Sequence, residues 1–348
     1  MDSLENILLA IFIITAVLIA GLLLTVMVRL AWAFYAERMR LSFNRRWQPL
    51  LSAWMEGNRL TLPVLPGRRS TFHFMNLWTR TCHYVEGEAA ELLRELASAM
   101  KLDERAAAML TSRAASKRVL ALVTLGEMQS HAYWREIHAQ IADAQPVVAL
   151  AAIEALAQVD ARRAAPLVVP ALLARPHWDP VRVSRLLQRL GGEALEPLLA
   201  ALRKAEPGQG ARVIRWLGST GQIAMLEPMR ERLQSVQDIE ELVALLEVMG
   251  QFGGAEDRGA ALRYLDHADW RVRMQAVKAL GQVGLAEDRP AMAALLTDLV
   301  WWVRYRAAGA LYQLRGETVE RFKKLAAMHP DRFARDSLRR VLAEKTQA

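Results

Sequence analysis

The stretch DWRVRMQAVKALG at residues 269–281 returns as VWWVRYRAAGALY at residues 300–312. Identical pairs include Trp270 with Trp301, Val272 with Val303, Arg273 with Arg304, Ala276 with Ala307 and Leu280 with Leu311. One more step of the same length along the chain brings Arg335 and Leu342 into the same phase. Similarity at one fixed period, here about 31 residues, is the sequence signature of stacked structural repeats.

The same register continues towards the N-terminus when the apolar residue before each helix-ending turn is taken as a marker. The markers are Leu125, Leu156, Leu190, Leu217, Met249, Leu280, Leu311 and Leu342. Their spacing is about 31 residues, and the deviations around Leu190 and Leu217 cancel, as they do when insertions and deletions fall in loops of a stacked array. Each unit has room for two helices, of which the first opens near an Asp or a Pro and the second resembles residues 290–296. Neither helix can bury its apolar stripe alone, so we predict an all-α chain with an α-solenoid of about seven to eight two-helix repeats over residues 110–345.

A glycine directly follows five of these markers, among them Gly126, Gly250 and Gly281. Glycine is favoured in the left-handed conformation that ends many helices. We therefore expect helix C-caps at these three positions.

The motif D-x-x-V-R-x-x-A-x-x-A-L-G at residues 269–281, with its copies, resembles the HEAT-repeat family. The likeness is in particular to the short repeats also seen in phycobilin lyases, and it implies an armadillo-type solenoid. The resemblance covers residues 110–345 well and residues 41–110 poorly, and it is weak around Leu190 and Leu217. Family members are scaffolds, adaptors and a few chromophore lyases. No catalytic residue of the family maps onto this chain.

An uncharged run occupies residues 7–28. As a helix it would be roughly 33 Å long, enough to cross a hydrocarbon core of about 30 Å. A cleaved signal peptide is the alternative, but such peptides begin with basic residues and have apolar stretches of about 7–15 residues. Here the first six residues contain Asp2 and Glu5 and no Lys or Arg. We predict a retained single transmembrane helix after a short extracytoplasmic segment at residues 1–6.

The charges that flank this run predict its orientation. Arginines follow it and none precede it, so the N-terminus should face out and the rest of the chain should lie in the cytoplasm, at the inner membrane of a bacterial cell. The interfacial aromatic residues are Trp32, Phe34 and Tyr35. The arginines expected against anionic lipid headgroups are Arg29, Arg38, Arg40, Arg45 and Arg46, each worth about 1 kcal/mol when close to the surface.

Residues 29–109 read as a basic juxtamembrane segment followed by a divergent helical cap, as expected for the end of a repeat array. Residues 47–54 predict a short amphipathic helix with Pro49 in its first turn. Residues 60–66 contain two prolines and cannot lie inside a helix. The spacing of apolar residues predicts helices over residues 87–100 and 103–110.

The sequence offers little chemistry. The net charge is +8, and Cys82 is the only cysteine, so neither an intrachain disulfide nor a thiolate metal cluster can form. Neither a Gly-rich phosphate loop, a G-x-S-x-G elbow nor an H-E-x-x-H motif occurs. His83 neighbours Cys82 but adjacent side chains point apart, and His131 and His138 lack a third ligand for zinc. We expect no enzyme activity, no cofactor, no metal and no small-molecule substrate.

The candidate binding residues lie at the starts of the first helices. Trp270, Trp301 and Trp302 could cover the seams between repeats or form an exposed anchor for another protein. Three in-phase arginines could pair with turn aspartates such as Asp269, Asp298 or Asp331 and bridge repeats, or could form a basic strip for an acidic partner; they are Arg273, Arg304 and Arg335.

Three functions are compatible with these features. The first is a membrane-tethered scaffold that binds the cytosolic face of another membrane protein or complex, by analogy envelope machinery such as a polysaccharide glycosyltransferase. The second is a lyase like the chromophore lyases with short repeats. The third is nucleic-acid binding, which ranks last because Arg, Asp and Glu are mixed along the array.

Overall fold

The computed structural model describes residues 2–58, 63, 65, 67–175, 177–206 and 208–346. These residues form α-helices and short 3-10 helices, and none of them is in a β-strand. The all-α prediction is confirmed. Two compact units, residues 1–155 and 156–348, are treated separately.

The first unit contains the long N-terminal helix and the predicted cap. Its helices are α1 (Asp2–Met55), α2 (Gly67–Cys82), α3 (Glu88–Ala99), α4 (Leu102–Met109), α5 (Ala115–Glu127) and α6 (Trp134–Ala139). Helix α7 (Pro146–Val159) crosses the boundary between the units. Helices α3 and α4 confirm the two helices predicted from spacing. Of the predicted non-helical segment 60–66, all but Pro63 and Leu65 lie outside the described residues.

Helix α1 is long and apolar enough to cross a membrane, a test that signal sequences near an N-terminus also pass. Its described apolar side chains from Val17 to Leu30 are exposed, so none of the described residues covers them. The side chains of residues 1–14, which include much of the predicted 7–28 segment, lie outside the described residues. An uncovered apolar helix of this kind needs a partner, and hydrocarbon is one that fits.

The last turns of α1 differ from the prediction. Residues 47–54 belong to α1 itself, and Pro49 lies inside the helix instead of starting a new one. Trp47, Leu51 and Trp54 explain the continuity, because they form one buried stripe that packs on α2 and α3. The Trp54 indole donates a hydrogen bond to the Leu92 carbonyl (3.0 Å), so tertiary packing outweighs the backbone hydrogen bond lost at Pro49.

The second unit contains the repeats. Its helices are α8 (Ala161–Ala174), α9 (Pro180–Leu190), α10 (Leu195–Arg203), α11 (Gly210–Thr220), α12 (Leu226–Ser235), α13 (Ile239–Phe252), α14 (Arg258–Arg263), α15 (Trp270–Val283), α16 (Arg289–Ala294), α17 (Trp301–Gln313), α18 (Val319–Met328) and α19 (Arg332–Thr346). Helices α11, α13, α15, α17 and α19 pack side by side in one row, each against the next. We call these the first helices of their repeats. The marker residues lie in the core: all are buried except Leu342, which is half-buried.

The three glycines predicted as helix C-caps do not end their helices, so that prediction is wrong. Gly126, Gly250 and Gly281 lie inside α5, α13 and α15, and none of them has a positive φ. A Cβ atom on Gly281 would lie 2.8 Å from both the Cα and the Cβ of Ala310 in the next first helix. Gly250 approaches Ala279 in the same way. These two glycines therefore let neighbouring first helices pack closely.

Candidate functional site

The turns that precede the first helices are held by one arginine of the repeat motif. Arg273 donates from Nη1 to the His267 and Ala268 carbonyls, at 2.8 and 2.9 Å. Arg304 and Arg335, each one period further on, donate in the same way to the carbonyls five and six residues before them. The three predicted arginines therefore share one structural role, because each fixes the turn on which its first helix begins.

Among the described residues, Arg273 alone of these three makes an ion pair with the next repeat. Its guanidinium holds Asp298 through two hydrogen bonds of 2.7 and 3.1 Å, and the carboxylate is buried. The residue equivalent to Asp298 beside Arg304 is His329, and Arg304 stacks on the Phe333 ring instead, with 5.3 Å to the centroid. The predicted ladder of bridging pairs is therefore present for one of the three arginines.

In the first unit, Arg118 makes the same two kinds of contact as Arg273, one to a backbone carbonyl and one to a carboxylate. It donates to the Ser112 carbonyl at 2.7 Å. It also pairs with Asp143, which follows it along the chain at the same interval as Asp298 follows Arg273. Arg118 precedes Arg273 by five repeat periods, so the period could have revealed it.

A second set of ion pairs, which sequence reasoning missed, links the shorter helices. Arg230 pairs with Asp257, Arg258 with Asp288, and Arg289 with Glu317. The two aspartates are buried and also accept the backbone N–H groups of Gly254 and Leu285, which caps the turn. The hydrogen bond from Arg258 lowers the pKa of Asp288, so this carboxylate stays charged. These three arginines stabilise the stacking of the repeats, and their guanidinium groups are already paired within the protein.

The three predicted tryptophans have different environments. Trp301 is half-buried: it stacks on Tyr305 (ring centroids 5.3 Å apart) and lies under the Arg340 guanidinium. Trp302 touches it edge-on at 4.5 Å but is 50% exposed, and Trp270 is 36% exposed. Trp301 therefore belongs to a seam between α17 and α19, whereas Trp302 faces solvent.

Trp302 is one of three exposed apolar side chains at the starts of the last two first helices. Leu299, in the turn before α17, is 96% exposed, and Phe333, at the start of α19, is 52% exposed. Arg304 contacts two of these three residues: it donates to the Leu299 carbonyl, and its guanidinium lies over the Phe333 ring. We call Leu299, Trp302 and Phe333 the apolar patch. It is a surface of the kind that anchors another protein.

The residues predicted at the membrane interface lie along α1 after its apolar part. Trp32, Phe34 and Tyr35 are exposed, as are Arg29, Arg38, Arg45 and Arg46. Arg40 is half-buried and pairs with Glu37 at 2.6 Å.

The chemical candidates stay apart from one another. Burial is the main cause that raises the pKa of the Cys82 thiol to about 12, so it is a poor nucleophile at neutral pH. The His267 and His329 imidazoles accept the backbone N–H of Asp269 and Asp331, at 3.1 and 3.2 Å. Within the part of the chain that the structure describes, no three His, Cys, Asp or Glu residues converge in a metal-binding group.

Comparison with known proteins bears on the fold. Among solved structures, an engineered protein is 15% identical over 86% of this chain and 89% of its own length, with a TM-score of 0.34. The structure of human deoxyhypusine hydroxylase in complex with glycerol is 16% identical over 88% and 98% of the two chains, with a TM-score of 0.29. A second engineered protein is 16% identical over 70% and 96%, with a TM-score of 0.19. No curated protein matches the sequence.

The family model described as HEAT repeats matches residues 226–311 and again residues 260–343. These segments contain α13, α15 and α17 of the row of first helices, together with the ion pairs that join them. The TM-scores of the structural neighbours are low, so the family match and the repeat geometry carry the assignment. Residues 226–343 of this chain are therefore similar to HEAT repeats.

Proposed function

We propose that the protein is a non-catalytic, membrane-tethered scaffold whose HEAT array docks another protein through the apolar patch. The observation that carries this proposal is the exposure of Leu299, Trp302 and Phe333 at the starts of adjacent first helices. Large apolar side chains exposed together are uncommon on a surface that has no partner.

Comparison with the preceding repeat supports a docking role over a packing role. Ala268 and Arg271 occupy the places of Leu299 and Trp302. Arg271 faces solvent and pairs with Asp269 and Glu240. Stacking therefore tolerates a small or a charged residue at these places, and the repeat fold does not require the apolar ones.

The surroundings of the patch indicate the chemistry of the partner. The guanidinium groups of Arg304 and Arg332 lie over the Phe333 ring, at 5.3 and 5.0 Å from its centroid. A partner segment with an apolar side chain flanked by carboxylates would complement this combination. The family resemblance suggests the cytosolic face of a membrane complex, such as a polysaccharide glycosyltransferase.

The exposed apolar part of α1 supports the tether. Anchoring restricts the array to the membrane surface and raises its effective concentration towards membrane partners. The arginines that follow the apolar run favour an inner-membrane orientation with the array in the cytoplasm. A reporter that is active only in the cytoplasm should work when fused after residue 348; activity of a periplasmic reporter alone would reverse the topology.

Site-specific photocrosslinking in cells tests the docking surface. A benzoylphenylalanine at position 302 should crosslink a discrete protein, and Phe333→Ala in the same chain should abolish that product. Ile223, an aliphatic residue that is 75% exposed elsewhere in the array, is the matched control position and should give no such product. Equal products at positions 302 and 223, or a product that survives Phe333→Ala, would contradict the proposal.

A further inference from the structure

We propose that a cleft in the first unit binds the headgroup of one anionic phospholipid, with Arg69 and Lys117 as its phosphate ligands. The cleft has a volume of about 460 Å³ and lies between α1, α2 and the start of α5. This inference rests on the proposed membrane anchoring of α1. It assigns a built lipid site, distinct from general attraction of the juxtamembrane arginines to the membrane surface.

The α1 wall of the cleft begins in the layer of the lipid headgroups, at Trp32, and extends beyond that layer. Trp32 and Tyr35 line its α1 wall, shortly after Val28, the last residue of the apolar run. At 1.5 Å per residue these positions are about 6 and 10 Å beyond the hydrocarbon core. The headgroup layer extends roughly 5–8 Å beyond that core on each side. Tryptophan and tyrosine side chains favour this layer.

The charges that line the cleft are positive. Arg69 from α2 and Lys117 from α5 are both exposed there, and no acidic residue lines the cleft among the described residues. Neither cation has an ion-pair partner within the described part of the chain, in contrast to the arginines of the repeats. Two cations that converge without a counterion are a suitable environment for a phosphodiester.

Two further observations point to an anion. His73 lies in the cleft, and its pKa is lowered by burial and by the charges of Arg69 and Arg40, which indicates a positive local potential. Helix α5 begins there without a side-chain cap and with no acidic residue in its first turn. The Ser116 hydroxyl lines the cleft beside this helix start. An anion would offset both the positive potential and the helix dipole.

The remaining walls suit a lipid better than a free phosphate ion. Met39 and Phe72 line the cleft together with the two aromatic residues of α1, so apolar surface adjoins the cations. A glycerol backbone and the first carbons of an acyl chain can pack there while the phosphate meets Arg69 and Lys117. A soluble anion would leave this apolar wall in water.

The test compares two double variants that remove equal charge from the full chain. Arg69→Gln with Lys117→Gln empties the cleft of its cations, and Arg189→Gln with Lys204→Gln removes two exposed cations of the second unit that do not line it. Retention of phosphatidylglycerol by the detergent-solubilised protein is titrated by native mass spectrometry. We expect the cleft variant to lose affinity by about tenfold or more and the control variant by about twofold or less.

Competing ligands distinguish the sources of the anion. Phosphatidylcholine and inorganic phosphate at millimolar concentration should compete poorly for the site. Equal losses in the two double variants, no loss in the cleft variant, or efficient displacement by inorganic phosphate would each overturn the proposal. Resistance to alkaline carbonate extraction is measured on all chains: release of the unmodified protein would refute the anchor, whereas retention with unchanged lipid affinity would refute the cleft alone.

Discussion

A single methyl group added at Gly281 should weaken the stack of first helices. In Gly281→Ala the new Cβ atom would lie 2.8 Å from the Cα and the Cβ of Ala310. Carbon atoms prefer separations of about 3.5–4.0 Å, so α15 and α17 would have to move apart by roughly 1 Å. Gly309 in α17 is the matched control, because a Cβ atom there meets nothing within 4 Å.

The expected change in the free energy of unfolding is the difference between two opposing effects of the added methyl group. Overpacking at a helix contact costs about 1–3 kcal/mol, and replacement of a helical glycine by alanine returns about 1 kcal/mol. Gly281→Ala should therefore destabilise the protein by about 1 kcal/mol, while Gly309→Ala should stabilise it by roughly 0.5–1 kcal/mol.

Urea unfolding of the full chain in mild detergent, followed by circular dichroism, measures both variants. The expected order of midpoints, from highest to lowest, is Gly309→Ala, then the unmodified protein, then Gly281→Ala. A Gly281→Ala variant as stable as Gly309→Ala would refute the close approach of α15 and α17.

Three further predictions concern individual side chains. A hydrogen bond from Arg271 is the main cause that lowers the pKa of Asp269 from 3.8 to about 2, so the stabilising effect of the ionised carboxylate is complete above pH 4 and is lost as pH falls towards 2. Asp269→Asn should therefore flatten the acid side of the curve of stability against pH over that range, and an unchanged curve would contradict the pairing of Asp269 with Arg271. Trp302→Ala should lower the free energy of unfolding by about 1 kcal/mol or less, the size of the edge-on contact with Trp301, whereas Trp301→Ala should lower it by about 3 kcal/mol or more. Melting temperatures of the two variants give the order, and equal losses would place Trp302 in the seam between α17 and α19. Cys82, whose pKa is raised to about 12, should react with iodoacetamide at pH 8 far more slowly than in urea, and equal rates would show that the thiol is not shielded.

The sequence predicts the repeats because burial imposes a period. Leu280 and Leu311 fill the same place in consecutive repeats, and their equivalence needs no knowledge of the distance between helices. The C-cap prediction for Gly281 was wrong because it needed such a distance. A glycine near a predicted helix end is compatible with a C-cap, and only the position of Ala310 in the next helix reveals the close helix contact. The helix start predicted at Pro49 was wrong for a similar reason. The buried stripe that keeps α1 continuous through Pro49 is defined by its packing against α2 and α3, which the local sequence does not show.

The candidate surface was predictable in part. The sequence holds the signal for one exposed tryptophan, because Trp302 takes the place of Arg271 one period earlier, and a place that accepts arginine in one repeat is not core in the next. Phe333 was missed, although it occupies the same place one period later. The pairs of Arg230 with Asp257 and of Arg258 with Asp288 were missed although the tetrapeptide AEDR at residues 255–258 recurs at residues 286–289, because the repeat does not show which side chains meet between helices.

The substitution of histidine for aspartate beside Arg304 has a consequence for how the array comes apart. Arg273 and Asp298 tie α15 to the turn before α17, but one period later the place of the aspartate is taken by His329, and Arg304 stacks on the Phe333 ring. Cooperativity in such arrays depends on the coupling between neighbours. Helices α18 and α19 should therefore fray before the rest, and their amide hydrogens should exchange through local openings while α13 and α15 remain protected until global unfolding.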